Sequence, residues 1–182
     1  MSSSATTVSP PHQQPHYRIR PCNDPSDAQQ LYPLVQQLAQ YQNLSNAVLT
    51  SVQTLTRDGF ETTPPLFYSA FAEHKNNNQW TPVGFVVSYH AYDTWKGRTL
   101  IIEDLFVQEH HRRKGLGRKL FAHCIKLAFQ TACAYVEWVV HNSNHRAKQM
   151  YISLGAHYPD GGVWDLMRMD AKAIETFMAN PL

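Results

Sequence analysis

Two short segments carry most of the chemistry that residue types and spacing reveal. The first, residues 99–107 (TLIIEDLFV), has the β-branched, aliphatic and aromatic content of a buried strand, yet Glu103 and Asp104 stand side by side in its middle. A buried carboxylate without a partner costs several kcal/mol or gives up its charge by a rise in pKa. Strand alternation sends neighbouring side chains to opposite faces unless a bulge re-aims one, so the two acids are expected to do different jobs. The second segment, HRRKGLGRKL, follows that strand and opens a helix. Free N–H groups at a helix N-terminus and the helix dipole both favour phosphate. Gly115 and Gly117 let backbone approach closely, and Arg112, Arg113, Lys114 and Arg118 add positive charge. Taken alone, the segment leaves a basic helix entrance or a localisation patch as the competing reading.

The remaining chain must hold these segments in place. Residues 17–20 alternate as a short strand. Leu31, Leu34, Val35 and Leu38 have helical spacing over residues 28–41, with Pro33 expected to kink that helix or delay its start. A second helix is expected over 45–55, then strands over 66–73 and 83–92 around a KNNNQ loop at 75–79. A turn at 93–98 leads into the acidic strand. Leu116, Leu120, Phe121, Ile125, Leu127 and Ala128 suit a helix to Gln130. A strand over 135–140 and a helix over 144–154 follow, the helix closed by Gly155. Gly161 and Gly162 turn the chain into a last strand at 163–169, and Asp170 caps a terminal helix. This order predicts an α+β fold with a mixed sheet.

The chain of 182 residues is long enough for one domain with a real core. Residues 1–16 (MSSSATTVSPPHQQPH) have little to bury and read as a disordered tail, leaving residues 17–182 as the folded domain. The tail has no apolar run and no Arg, which argues against a secretory or mitochondrial signal. A net charge of +2 argues against a dedicated nucleic-acid or membrane-surface binder. No apolar run approaches the ~20 residues that span a bilayer. Cys22, Cys124 and Cys133 form no CxxC pair, so reduced thiols in the cytoplasm are expected. His110 and His111 are adjacent and diverge on any regular element, so no metal site is expected there.

The pattern R-x-x-G-x-G at 112–117, just after a strand ending in Phe106 and Val107, resembles the acetyl-CoA pyrophosphate loop of the GCN5-related N-acetyltransferase superfamily. NSNHRAKQMYISLGA at 142–156 resembles its second cofactor segment. VGFVVSYHAYDTWKGRTLIIEDLFV, with RDGFETTPPLFYSAFAE before it and GVWDLMRMD after it, narrows the resemblance to the diamine (spermidine/spermine) and thialysine acetyltransferases, from Tyr17 to the C-terminus. TWKGR and NHRA are closer to the thialysine group, and Asp93 to the spermidine/spermine group. One departure is YQNLSN at 41–46, where spermidine/spermine enzymes tend to carry several acids and this chain has none.

The resemblance implies a mixed central β-sheet flanked by helices, and transfer of an acetyl group from acetyl-CoA to a primary amine of a small diamine, polyamine or lysine-like amine. Leu105, Phe106, Val107, Arg112, Arg113, Lys114, Gly115, Leu116, Gly117, Arg118 and Asn144 would hold the cofactor. Glu103 would take the proton of the ammonium, and Tyr151 would protonate the departing sulfur. A backbone N–H within 105–107 would meet the acyl oxygen. Asp93, Trp95, Glu103, Asp104 and Trp164 would line the amine pocket, Asp104 as charge complement or as scaffold. For the tryptophans core packing, and for Asp93 a turn, are competing readings. A homodimer is implied, with residues 41–55 near the partner's site. No metal, nucleic acid or membrane is expected to take part. Two alternatives remain open: acetylation of protein lysines or N-termini, and a non-catalytic module for anionic partners.

Overall fold

The computed structural model describes residues 16–159, Met169 and Met178. These fall in two compact units that divide between Val139 and Val140. The expectations for residues 1–15, for the last strand and terminal helix, and for Trp164 lie outside the described residues.

In the first unit the chain forms β1 (Tyr17–Pro21), α1 (Asp27–Tyr41), α2 (Val52–Thr56), β2 (Tyr68–Asn76), β3 (Gln79–Asp93), β4 (Gly97–Val107), α3 (Leu116–Gln130) and β5 (Val136–Trp138). The strands lie in the order β1-β2-β3-β4-β5. All pairs are antiparallel except β4 with β5, so the sheet is mixed, as the order of elements predicts.

Local chemistry explains where the elements depart from expectation. The loop at 75–79 shrinks to Asn77 and Asn78, because Lys75 pairs with Trp80 and Asn76 with Gln79. Both turn residues have positive φ, 45° and 63°, a conformation asparagine tolerates and tight hairpins require. Pro33 lies inside α1, which begins at Asp27 regardless. The helix expected at 45–55 is broken. A 3-10 turn at Ser45–Ala47 gives way to extended backbone, and α2 restarts at Ser51, whose hydroxyl caps it by accepting from Thr54 N at 3.1 Å.

The sheet is covered on both sides. Leu31, Leu34 and Leu38 of α1 pack with Phe71, Phe85 and Phe106 on one face, joined by Leu55 and Val87. On the other face α3 packs over β2, β3 and β4. Its Leu116, Leu120, Cys124 and Ala128 are buried, as are Ala70, Val86, Leu100 and Ile102 of the strands. Gly84 sits where β3 meets β4, and a Cβ there would lie 2.6 Å from the Phe106 carbonyl oxygen. Only glycine permits that approach.

The second unit contains α4 (His145–Ile152). The Asn144 side chain caps it, accepting from Ala147 N at 3.2 Å. Gly155, at φ 95°, ends it, and Ala156 N returns to the Tyr151 carbonyl at 3.1 Å.

Candidate active site

The carboxylate pair sits on a break in strand register. From Val107 to Asp104, β4 pairs with β3 from Gly84 to Val87; from Ile102 to Gly97 it pairs with Ser88 to Asp93. Glu103 is the residue left over, a β-bulge on β4. With a side-chain period of two, one extra residue cancels the alternation. Asp104 lies opposite Val87, on the α1 face of the sheet. Glu103 accepts a hydrogen bond from the hydroxyl of Tyr89, two residues along from Val87 and so on the same face. The two acids therefore act on one another, where regular alternation would have parted them. Burial and the neighbouring Glu103 charge push the Asp104 carboxyl up to about 6, and no counter-charge or donor among the described residues offsets them. Burial and the Glu103 charge also raise the Tyr89 hydroxyl above the usual phenol range. Tyr89 was not singled out from sequence; it pairs with Ile101, two residues before Glu103, and so shares its face.

The open edge of β4 lies beside this pair. β5 matches β4 only at Leu100, Ile101 and Ile102. Beyond Ile102 no described strand follows that edge. Gln108 N donates to Val83 O on the β3 side, while Leu100 N donates to Tyr135 O on the β5 side. Counting back from Gln108 by alternation, the N–H groups of Leu105 and Val107 point to the open edge. The Val107 carbonyl on that edge accepts from Arg112 Nε at 2.8 Å. Phe106 and Val107 have buried side chains, so their contribution to any ligand there is through backbone.

The basic loop connects this edge to α3. Arg113 and Gly115 both have positive φ, 64° and 76°. They turn the chain so that α3 begins with bare N–H groups: Lys119 N reaches Gly115 O at 3.1 Å, leaving Leu116 and Gly117 without a helical acceptor. No acid lies in the first turn and no side chain caps it. A Cβ built on Gly115 would meet nothing within 4 Å, so the space before the helix is open. Backbone donors, cations and the absence of acid suit a pyrophosphate. The expected residues divide by what they offer. Leu116 is buried and offers only its N–H, while Arg113 and Arg118 are exposed. Arg112 braces the loop, its guanidinium 4.5 Å from the Tyr41 ring centre and its Nε on Val107. Lys114 Nζ donates to the Tyr17 hydroxyl at 2.7 Å.

Asp93 and Trp95 lie at the β3–β4 turn, and Asn144 and Tyr151 belong to the second unit. Asp93 ties the β3–β4 turn: it accepts from Trp95 N at 2.7 Å, Lys96 N at 3.0 Å and the Tyr135 hydroxyl at 2.9 Å. The Trp95 N–H bond, then the Tyr135 hydroxyl, hold its carboxyl below the usual range. Trp95 is 91% exposed at the turn. Asp93 pairs with Gly97, and the extended strand from Gly97 to Glu103 covers about 20 Å. Within one chain, Asp93 and Trp95 are thus not brought to the carboxylate pair. Tyr151 is half-buried on α4, and Asn144 caps that helix. Among the described residues no group of three or more His, Cys, Asp or Glu side chains is arranged to hold a metal ion.

Comparison with known proteins decides what this arrangement belongs to. Residues 31–156 match the Acetyltransferase (GNAT) family. The chain belongs to that family. It is 30% identical over 154 residues to the thialysine N-epsilon-acetyltransferase of Bos taurus, covering 81% of this chain and 89% of that protein. It is 29% identical over 154 residues to the protein of the same name in Caenorhabditis elegans, covering 84% and 92%. It is also 31% identical over 146 residues to the spermidine/spermine N(1)-acetyltransferase-like protein 1 of Homo sapiens, covering 78% of this chain and 20% of that protein. Among solved structures, an integron cassette protein from V. cholerae superposes with TM-score 0.70 at 19% identity, covering 91% of this chain and 99% of that one. The aminoglycoside N-acetyltransferase AAC(6')-Iy, solved with CoA, superposes with TM-score 0.65 at 17% identity, covering 87% and 99%. At those identities the likeness is one of fold. The family and its relatives make this chain an acetyl-CoA-dependent amine N-acetyltransferase.

Proposed function

We propose that the acceptor is the primary amine of a small diamine, polyamine or lysine-like molecule, the class named in the thialysine and spermidine/spermine relatives. The observation that carries this reading is the bulge at Glu103, which gathers two carboxylates on one face beside an open strand edge. A small cation is the natural guest for such a pair. Its charge offsets the burial and the Glu103 repulsion that together hold Asp104 near 6.

An amine with the lysine reference pKa of ~10.4 arrives protonated and without a lone pair. Glu103 accepts that proton, directly or through water, with the Tyr89 hydroxyl orienting its carboxylate. Asp104 holds the ammonium while this happens. Acetyl-CoA supplies the acetyl group and takes away the electron pair of the broken thioester as a thiolate. The N–H groups of Leu105 and Val107 donate to the acyl oxygen as negative charge gathers on it. The freed amine nitrogen bonds to the acyl carbon as the C–S bond breaks; Tyr151 gives its hydroxyl proton to the departing sulfur and is restored by the second proton lost from the acylated nitrogen. The bare N–H groups of α3, with Arg113, Lys114 and Arg118, hold the pyrophosphate. Asn144 contributes to holding the cofactor arm, as the resemblance implies.

The same reading includes a homodimer and a cytoplasmic setting. Tyr41, Leu44 and Leu49 are exposed between α1 and α2, and Trp95 at the β3–β4 turn, apolar surface that a second copy would cover. Cys22, Cys124 and Cys133 are free thiols, and no helix among the described residues is long and apolar enough to cross a membrane.

The test is an amine panel with acetyl-CoA, following coenzyme A release. Turnover is expected on at least one of putrescine, spermidine, thialysine or a related small amine. Acetyl-CoA binding with no turnover on any of them, and acetylation of peptide lysines instead, would overturn the small-amine reading.

A further inference from the structure

Beside the phosphate loop lies a cluster that the acetyl transfer does not use. Tyr17 of β1, His74 of β2 and His111 of the loop pack together with tilted or edge-on rings. Ring centres are 4.8 Å apart for Tyr17 and His74, 5.1 Å for His74 and His111, and 5.9 Å for Tyr17 and His111. Lys114 Nζ donates to the Tyr17 hydroxyl at 2.7 Å and lies 5.2 Å from its ring centre. The same hydroxyl is 3.1 Å from His111 Nδ1.

The direction of this chain of bonds follows from its ends. A lysine ammonium can only donate, so the Tyr17 oxygen accepts from Lys114. The Tyr17 hydrogen is then left for His111 Nδ1, which must carry a lone pair. The relay Lys114 to Tyr17 to His111 is complete only while His111 is neutral. Protonation at Nδ1 turns His111 into a second donor aimed at the same oxygen and places two positive charges around one hydroxyl.

The charged groups around His111 agree on which state the free protein holds. His74 from β2, and Lys114 and His110 from its own loop, all act against a positive charge there, and burial acts first among the causes that hold His111 below its ordinary value. Tyr17 from β1 brings no charge. Glu109, next to His110, is exposed and is not among the groups that act on His111. Among the described residues no anionic group acts on His111 to offset this cluster.

We propose that Tyr17, His74 and His111 form a proton-linked clamp on Lys114: neutral His111 parks the lysine on the Tyr17 hydroxyl, and protonated His111 releases it to the phosphates of acetyl-CoA. The proposal rests on the reading of residues 112–118 as the phosphate loop. The sign is set by electrostatics. A bound anion favours the protonated imidazole, so binding takes up a proton, and acetyl-CoA binds more tightly as pH falls toward the His range. One pH unit of change in the His111 proton affinity on binding corresponds to a tenfold change in acetyl-CoA affinity.

The experiment is calorimetric titration of the full chain with acetyl-CoA at pH 6 and pH 8, in buffers of different ionisation enthalpy so that proton uptake is read directly. The ligand's own phosphate monoester titrates near pH 6, so wild type is compared with variants that meet the same ligand. His111→Asn keeps an acceptor for Tyr17 but cannot take a proton. It is expected to lose the proton uptake seen in wild type and to flatten the rise in affinity at low pH. Tyr17→Phe keeps the ring and removes the parking oxygen. Its affinity at pH 8 is expected to rise several-fold, toward the wild-type value at pH 6. Equal proton uptake in wild type and His111→Asn, or weaker binding in Tyr17→Phe at pH 8, overturns the clamp. Wild-type protein that binds no acetyl-CoA overturns the phosphate-loop reading itself.

Discussion

Substituting Asp104 by Asn should stabilise the protein above neutral pH while weakening its hold on the amine. Burial first, and the Glu103 charge second, lift the Asp104 carboxyl from 3.8 to about 6. That displacement of about two pH units, at about 1.4 kcal/mol each, makes the ionised form cost ~3 kcal/mol in the folded protein relative to the unfolded chain. The folded state holds this proton more tightly than the unfolded state does, so stability declines as pH rises from about 4 to about 6. The full cost is then present at every higher pH. Asn carries no charge and nearly the same shape. Asp104→Asn is therefore expected to unfold at a higher urea midpoint than wild type at pH 8, by up to ~3 kcal/mol, and to match wild type near pH 4. In thermal unfolding each kcal/mol is worth roughly 2–4 °C for a chain of this size. Its KM for amine should rise at pH 8 in the same measurements, because the bound ammonium no longer relieves a paired charge. A variant less stable than wild type at pH 8, or a stability difference that does not vary with pH, would show that Asp104 has a partner and refute the reasoning.

Three further predictions test the proposed chemistry and the strand edge beside it. Glu103→Gln should lose rate most at neutral pH and recover as pH climbs toward the amine's own pKa near ~10.4; a loss that stays constant with pH would point to scaffolding. Tyr151→Phe should lower kcat by ~100-fold with acetyl-CoA KM within about threefold, and an unchanged kcat would move the acid role elsewhere. Gly84→Ala would push a methyl group to 2.6 Å from the Phe106 carbonyl. It should cost at least ~2 kcal/mol in chemical denaturation and displace the Leu105–Val107 edge, raising acetyl-CoA KM; a variant with wild-type stability would mean that β3 yields more than its packing implies.

Most of the scaffold was legible because its elements are long and periodic. The leucines of α1 and α3 repeat at helical spacing, and those helices span Asp27–Tyr41 and Leu116–Gln130, close to expectation. The segment at 45–61 was not, since Ser51 can either continue a helix or cap a new one, and only the fold selects the cap. The turn at Asn77-Asn78 hid within a polar run in which any asparagine could have taken positive φ. In the site, residue types pointed to Glu103 and the glycine loop. The side on which each carboxylate emerges depends on a bulge, and a bulge is a mismatch between two strands that neither strand's own sequence records. Asp93 and Asn144, both expected beside ligands, also hold backbone N–H groups of a turn or a helix start. Short polar side chains serve either purpose, and spacing does not choose between them.

The bulge also bears on how the sheet tolerates its acid. Without Glu103, Ile102 and Asp104 would follow one another opposite Ser88 and Val87, and each flanking half of the hairpin would keep its present face-to-face matches. Phe106 would still meet Phe85 under α1, and Leu100 would still meet His90 on the α3 side. Glu103 is therefore an inserted residue in an otherwise complete ladder, and the hairpin closes with or without it. Its identity is free of the packing demands that fix its neighbours, which leaves this one position open to the proposed proton transfer.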